Sequence, residues 1–156
     1  MVNEKKIDLK FLTQFEHLQK EYLEVERKRE KLQTELEKLE SEGTVKDTVS
    51  GGSGGKQHFV VEGFPMAMYS RKKTLLYKRI MTAEKLEEKI CADILTIEEF
   101  IARIDDSYMR RVFDMRVIGR MKWQEIANTI GGGNSPDDVR KQFDRFIKKM
   151  ERENGK

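Results

Sequence analysis

Residues 11–39 read FLTQFEHLQKEYLEVERKREKLQTELEKL, and their seven-residue rhythm decides the fold. Phe11, Leu18, Val25, Leu32 and Leu39 recur every seven positions. Phe15, Tyr22, Arg29 and Leu36 follow four residues after each of the first four. All but one of these seam positions are apolar or aromatic, and the exception is Arg29. Such a repeat, with Glu and Lys elsewhere, specifies a helix whose stripe must be covered by another helix. Neither Gly nor Pro occurs between residues 4 and 42, so the helix is expected to fill residues 1–42 almost entirely. Arg29 either sets the register of the pairing or snorkels its charge to water.

Moving outward, Gly43 stops the repeat, and Gly51, Gly52, Ser53, Gly54 and Gly55 mark residues 43–66 as a flexible linker. Its end, HFVVEGFPM from His58 to Met66, is apolar enough either to pack on the helices or to form a short extended piece. A second long helix is expected over residues 67–106. Leu76, Ala83, Ile90, Ile97 and Ile104 recur at seven, Ile80, Ile94 and Ile101 fill the interleaved row, and only Glu87 interrupts it. At about 1.5 Å per residue, both helices would measure roughly 55–57 Å. Equal lengths favour an antiparallel hairpin within the chain. Pairing of the first helix with its copy, a homodimer through the coiled coil, stays open beside it.

The composition agrees. Of 156 residues, 38% are charged and 37% hydrophobic, a balance that suits thin helical seams and argues against a large catalytic cavity. No run of about 18 apolar residues is present to span a membrane, and MVNEKKIDLK lacks the apolar stretch of a signal peptide. With Cys91 alone there is no internal disulfide, so a cytoplasmic chain is expected. His17, His58 and one Cys do not make a closed zinc site, no nucleotide-binding glycine fingerprint occurs, and no cofactor or metal is expected. The carboxylates follow helical surface spacing and no Ser–His motif appears, so an enzyme is not expected. Cys91 reads as a buried, inert thiol.

The net charge of +3 is unevenly spread. Residues 1–42 hold 9 Lys and Arg against 11 Asp and Glu, residues 43–107 hold ten of each, and residues 108–150 hold 10 against 5. Positive excess confined to one block is the footprint of a polyanion-binding module. A second basic run, Arg71, Lys72, Lys73, Lys78 and Arg79, is either a solvated face or an additional nucleic-acid contact.

Within the basic block, residues 107–156, three short helices are expected. Asp105-Asp106-Ser107 caps the first, YMRRVFDMRVI, which Gly119 ends. MKWQEIANTI is the second, and Gly131, Gly132, Gly133 and Asn134 form a turn. Ser135 as N-cap, Pro136 at N1 and Asp138 at N3 then start the third. Trp123, Phe143 and Phe146 are expected in the core. Short helices with a glycine turn between the last two make a helix-turn-helix. The fold expected is therefore all-α, a long helical hairpin or coiled coil followed by a small C-terminal helix-turn-helix bundle.

The run RRVFDMRVIGRMKWQEIA, IGGG, SPDDVRKQFDRFIKK resembles region four of sigma-70-type factors and the phage proteins sharing that fold. With the N-terminal coiled coil, the chain is similar to small regulators from prophages of Gram-positive bacteria. About 43 residues carry the likeness closely. Two departures stand out: Lys122 occupies a position where Ser or Thr commonly caps the helix, and the IGGGNS turn is about two residues longer than usual. The resemblance implies transcriptional regulation, with double-stranded DNA as partner and RNA polymerase as a second candidate. Rivals are a DNA-packaging recognition subunit of the small-terminase type and a coiled-coil adaptor that binds no DNA.

Recognition helices present their N-terminal residues to base edges. With Val139, Phe143, Phe146 and Ile147 inward, Asp137, Arg140 and Lys141 are the candidates for base contacts, since Arg and Lys read guanine and carboxylates accept from cytosine. Arg120, Lys122, Gln124, Ser135, Arg145 and Lys148 are candidates for phosphates. Asp138 is expected to cap backbone N–H groups instead.

Overall fold

The structure, a computed structural model, describes residues 6–43 and 66–155. The glycine-rich stretch, His58 and the apolar run after it lie outside the described residues. The rest is helical: α1 (Leu9–Thr13), α2 (Phe15–Glu42), α3 (Met66–Ala102), α4 (Ser107–Phe113) with a π-helical turn at Asp114–Ile118, α5 (Trp123–Ile130) and α6 (Pro136–Asn154). They form the expected hairpin of α2 and α3, followed by small packed C-terminal helices. Among the described residues no helix is long and apolar enough to cross a membrane.

Two compact units make up the chain, Glu24–Glu87 and the combination of Met1–Leu23 with Glu88–Lys156. In the first, α2 and α3 run antiparallel and close their seams on each other. Leu32, Leu36 and Leu39 pack with Leu76 and Ile80, and Tyr69 covers the cluster. A buried Leu or Ile contributes roughly 1.5–3 kcal/mol relative to exposure, so this row holds the hairpin shut. Its register is marked by the two charged interruptions. Arg29 Nε donates to both carboxylate oxygens of Glu87 at 2.9 Å, and Gln33 Oε1 accepts from Arg29 at 2.9 Å. Both side chains are largely covered, 22% and 14% exposed. Of the two readings of Arg29, the structure shows the paired one.

The second unit has its own core. Ile97, Ile101 and Ile104 on the α3 side, Met109, Val112, Phe113 and Val117 after it, and Ile126, Val139, Phe143 and Ile147 on the last two helices are all buried. Phe113 is the hub: its ring lies 4.5 Å from Phe143, 5.2 Å from Phe146 and 6.0 Å from Phe100. Asp106 caps α4 by accepting from the N–H groups of Tyr108 and Met109 at 2.9 and 3.3 Å.

Several expectations need correcting. The first helix is not continuous: the N–H of Gln14 turns back to the Phe11 carbonyl at 3.2 Å, three residues away, which tightens the chain between α1 and α2. Leu12 is buried there at 1% exposure in place of Phe11, which is half-buried, while Phe15 keeps its expected seam position at 1%. In consequence α2 has 28 residues against 37 in α3, and the expected equality of length fails. The second helix ends at Ala102, short of 106. Cys91 is exposed, because it falls outside both seam rows. Phe146 and Trp123 are only half-buried.

Replacing Arg29 or Glu87 alone by Leu leaves one charge facing an apolar seam. Either single variant is expected to lower the melting temperature by several degrees, whereas the double variant Arg29→Leu with Glu87→Leu recovers most of the loss. Thermal unfolding followed by circular dichroism checks this; equal, additive losses would show that the pair is not coupled.

Candidate nucleic-acid interface

Around Phe113 the C-terminal helices pack α6 against α4 and α5. After α4 the backbone widens into the π-helical turn, where the N–H of Gly119 reaches the Asp114 carbonyl five residues back at 2.9 Å. A side chain at 119 would meet the Met115 carbonyl oxygen at 2.9 Å, so Gly is required there for close approach. The left-handed residue is the next one, Arg120, at φ 55°. Gly119 therefore does not end the helix by turning left-handed itself, as glycines at that place commonly do.

α5 starts at Trp123 with half of a capping arrangement. The Glu125 carboxylate accepts from the Lys122 N–H at 2.7 Å, which compensates in part for the absent Ser or Thr. Gly131, Gly132 and Gly133 then take φ of 71°, 75° and 75°, a succession that residues with a Cβ rarely adopt. Asn134 closes this turn by donating to the Gly131 carbonyl at 3.1 Å. α6 begins with a full capping box. Ser135 Oγ accepts from the Asp138 N–H at 3.1 Å and donates to Asp138 Oδ2 at 2.6 Å, and the Ser135 N–H also donates to that carboxylate at 3.3 Å.

All nine candidate contact residues are exposed. The structure gathers Asp137, Lys141, Arg145 and Lys148 on one face of α6, at spacings of four, four and three. Asp137 and Lys141 form an ion pair at 2.9 Å, which raises the Lys141 pKa through the Asp137 carboxylate. Arg145 Nε donates to the Lys141 carbonyl at 3.2 Å, so its guanidinium lies along the same face. Arg140 stands apart. With Asp144, 3.9 Å away, it borders a cleft of about 500 Å³ that Arg116, Arg120, Trp123 and Glu16 also line.

Other candidates are partly committed. Arg120 pairs with Glu16 at 3.0 Å, and that carboxyl is held below its ordinary range by Lys20 first and Arg120 second. Ser135 spends both its O–H and its N–H on Asp138. Gln124 donates to Asn128 at 3.1 Å. Lys122 and Lys148 have no side-chain partner among the described residues. The bulk charge count also missed two fasteners. Arg110 donates to the Ile104 carbonyl and Arg116 to the Met121 carbonyl, each at 2.8 Å. Arg116 lies 4.5 Å over the Trp123 ring, which also meets the Phe143 ring edge to face at 5.3 Å. No local sequence signal could have shown these roles, since both acceptors are carbonyls in irregular connections.

The Asp138 carboxyl is held below the usual range by the Ser135 hydroxyl first and the Ser135 N–H second. A lowered folded value means that its contribution is complete above the ordinary aspartate pKa of about 3.9 and is lost as pH falls through the folded value. Ser135→Ala is expected to cost about 1 kcal/mol at neutral pH. The gap between this variant and the wild type should narrow in acid, and Asp138→Asn should remove that acid dependence. Thermal melts across the acid range read both effects; a gap independent of pH would exclude the charged cap.

Compared with family models, with curated proteins and with solved structures, the chain matches none, so no relative supplies a role for this surface.

Proposed function

We propose that the chain is a sequence-specific DNA-binding protein that inserts α6 into the major groove, acting as a transcriptional regulator of the phage or prophage type. One observation carries the reading: a helix held by a capping box and a glycine turn against α5 displays Lys141, Arg145 and Lys148 along one exposed face. A helix of this kind fits the major groove, and cations repeated along it meet phosphates on its walls. Asp137, beside Lys141, accepts from cytosine or orients the lysine toward guanine. Arg140 reaches the groove from the edge of this face. Lys122 and Gln124 open α5 near the place where a helix-turn-helix crosses the backbone. RNA polymerase as a partner rests on the sequence resemblance alone.

Selection of bound DNA from a random pool, repeated at two salt concentrations, tests the proposal. An enriched motif is expected, together with affinity that falls steeply as salt rises. Lys148→Ala should weaken specific and random DNA alike. Arg140→Ala should cost about 1–3 kcal/mol at one base position and relax the preference there; equal loss on both kinds of DNA would reassign Arg140 to phosphates. No binding at low salt would instead support an adaptor.

A further inference from the structure

The hairpin Glu24–Glu87 is electrically different on its two sides. Pairs between its helices label them. Glu40 of α2 meets Lys73 and the Tyr77 hydroxyl of α3 at 3.1 and 3.2 Å on one side. Glu35 meets Lys72 at 3.9 Å on the other. Helical periodicity then assigns the neighbours. On the Glu40 side α2 adds Glu26, Glu30 and Glu37, and α3 adds Glu84. The Lys73 ammonium already belongs to Glu40, whose carboxylate raises its pKa. Tyr77 and Met81 lie exposed among these acids, at 46% and 53%.

The Glu35 side has the opposite character. Lys28, Lys31 and Lys38 come from α2, and Arg79 joins Lys72 on α3. Two of the carboxylates here are already answered by lysines, Glu35 by Lys72 and Glu42 by Lys38, each at 3.9 Å. On the outer face of α3, opposite the seam, Arg71, Lys78 and Lys85 form a row of exposed cations at seven-residue spacing, about 10.5 Å apart; none has an ion-pair partner among the described residues. Met68 and Leu75 are the exposed apolar residues of this side, at 56% and 47%.

We infer that the hairpin associates side by side with further copies of this chain, the acidic side of one copy against the basic side of the next. Each side offers what the other lacks, a pair of apolar side chains framed by charges of the opposite sign. A two-fold dimer through either side would set like charges against each other. The contact between unlike sides is heterologous, and repeated contacts of that kind close into a ring or continue as a filament. The inference is independent of DNA binding, although an assembly would gather several C-terminal units in one particle.

Charge reversal on the full chain tests it, with mass read by light scattering at about 50 mM and about 500 mM salt, where screening differs several-fold. The wild type is expected to form particles of more than two copies at low salt and to dissociate at high salt. Glu26→Lys with Glu30→Lys and Glu37→Lys leaves both sides basic, and Lys31→Glu with Arg79→Glu leaves the second side acidic. Each variant alone should lose the large particle while keeping its helical circular dichroism, and a one-to-one mixture should restore it. A monomer at low salt, a dimer indifferent to both reversals, or a mixture that fails to reassemble would overturn the inference. So would a basic-side variant that loses DNA affinity with its particle mass unchanged, since that outcome assigns the basic side to nucleic acid.

Discussion

A charged side chain in an apolar helix seam makes closure costly unless an opposite charge meets it there, and in this hairpin Arg29 of α2 is met by Glu87 of α3. The consequence is register. Sliding α3 by one heptad would set Arg29 against Ile80 and Glu87 against Tyr22, leaving two half-buried charges without partners. The leucine and isoleucine rows are indifferent to such a slip, because each apolar position resembles the next. They supply most of the attraction, and the ion pair selects one alignment from several that the apolar rows would accept. The assignment of opposite charges to the two sides of the hairpin depends on that alignment, since a slip would re-pair Glu35, Glu40, Lys72 and Lys73.

In the C-terminal unit the corresponding constraint is aromatic. Phe113 carries α4 against α6, and Phe143 passes the contact on to Trp123 at the head of α5. Because α4 and α5 are short, they have little helical stability of their own and depend on this packing. The basic residues divide accordingly. Arg110 and Arg116 spend donors on backbone carbonyls, and Arg120 answers Glu16. Lys141, Arg145 and Lys148 remain on the surface of α6. Three of the exposed cations of the basic block thus share one face of one helix.

Much of this was legible beforehand. The heptads located both long helices, and the Ser135-Pro136-Asp138 signature located the start of α6, because caps and periodicity are written in neighbouring residues. The failures share a cause. Gln14 breaks the first helix within an unbroken heptad pattern. Arg120 adopts the left-handed turn beside a glycine that could have taken it more cheaply. In each case the outcome depends on what lies across from the residue and not on what lies next to it.

By itself, the sequence determined the helical class, the positions of the caps and turns, the two apolar rows and the basic character of residues 108–150, all properties set by spacing along one chain. Only the tertiary structure decided that Arg29 and Glu87 answer each other, that Arg116 rests on Trp123, that Arg140 borders a cleft while Lys141 stands on the open face, and that the hairpin has one acidic and one basic side. Those are relations between distant segments. They depend on the register and rotation of packed helices, which short-range propensities leave free and the burial of apolar seams settles.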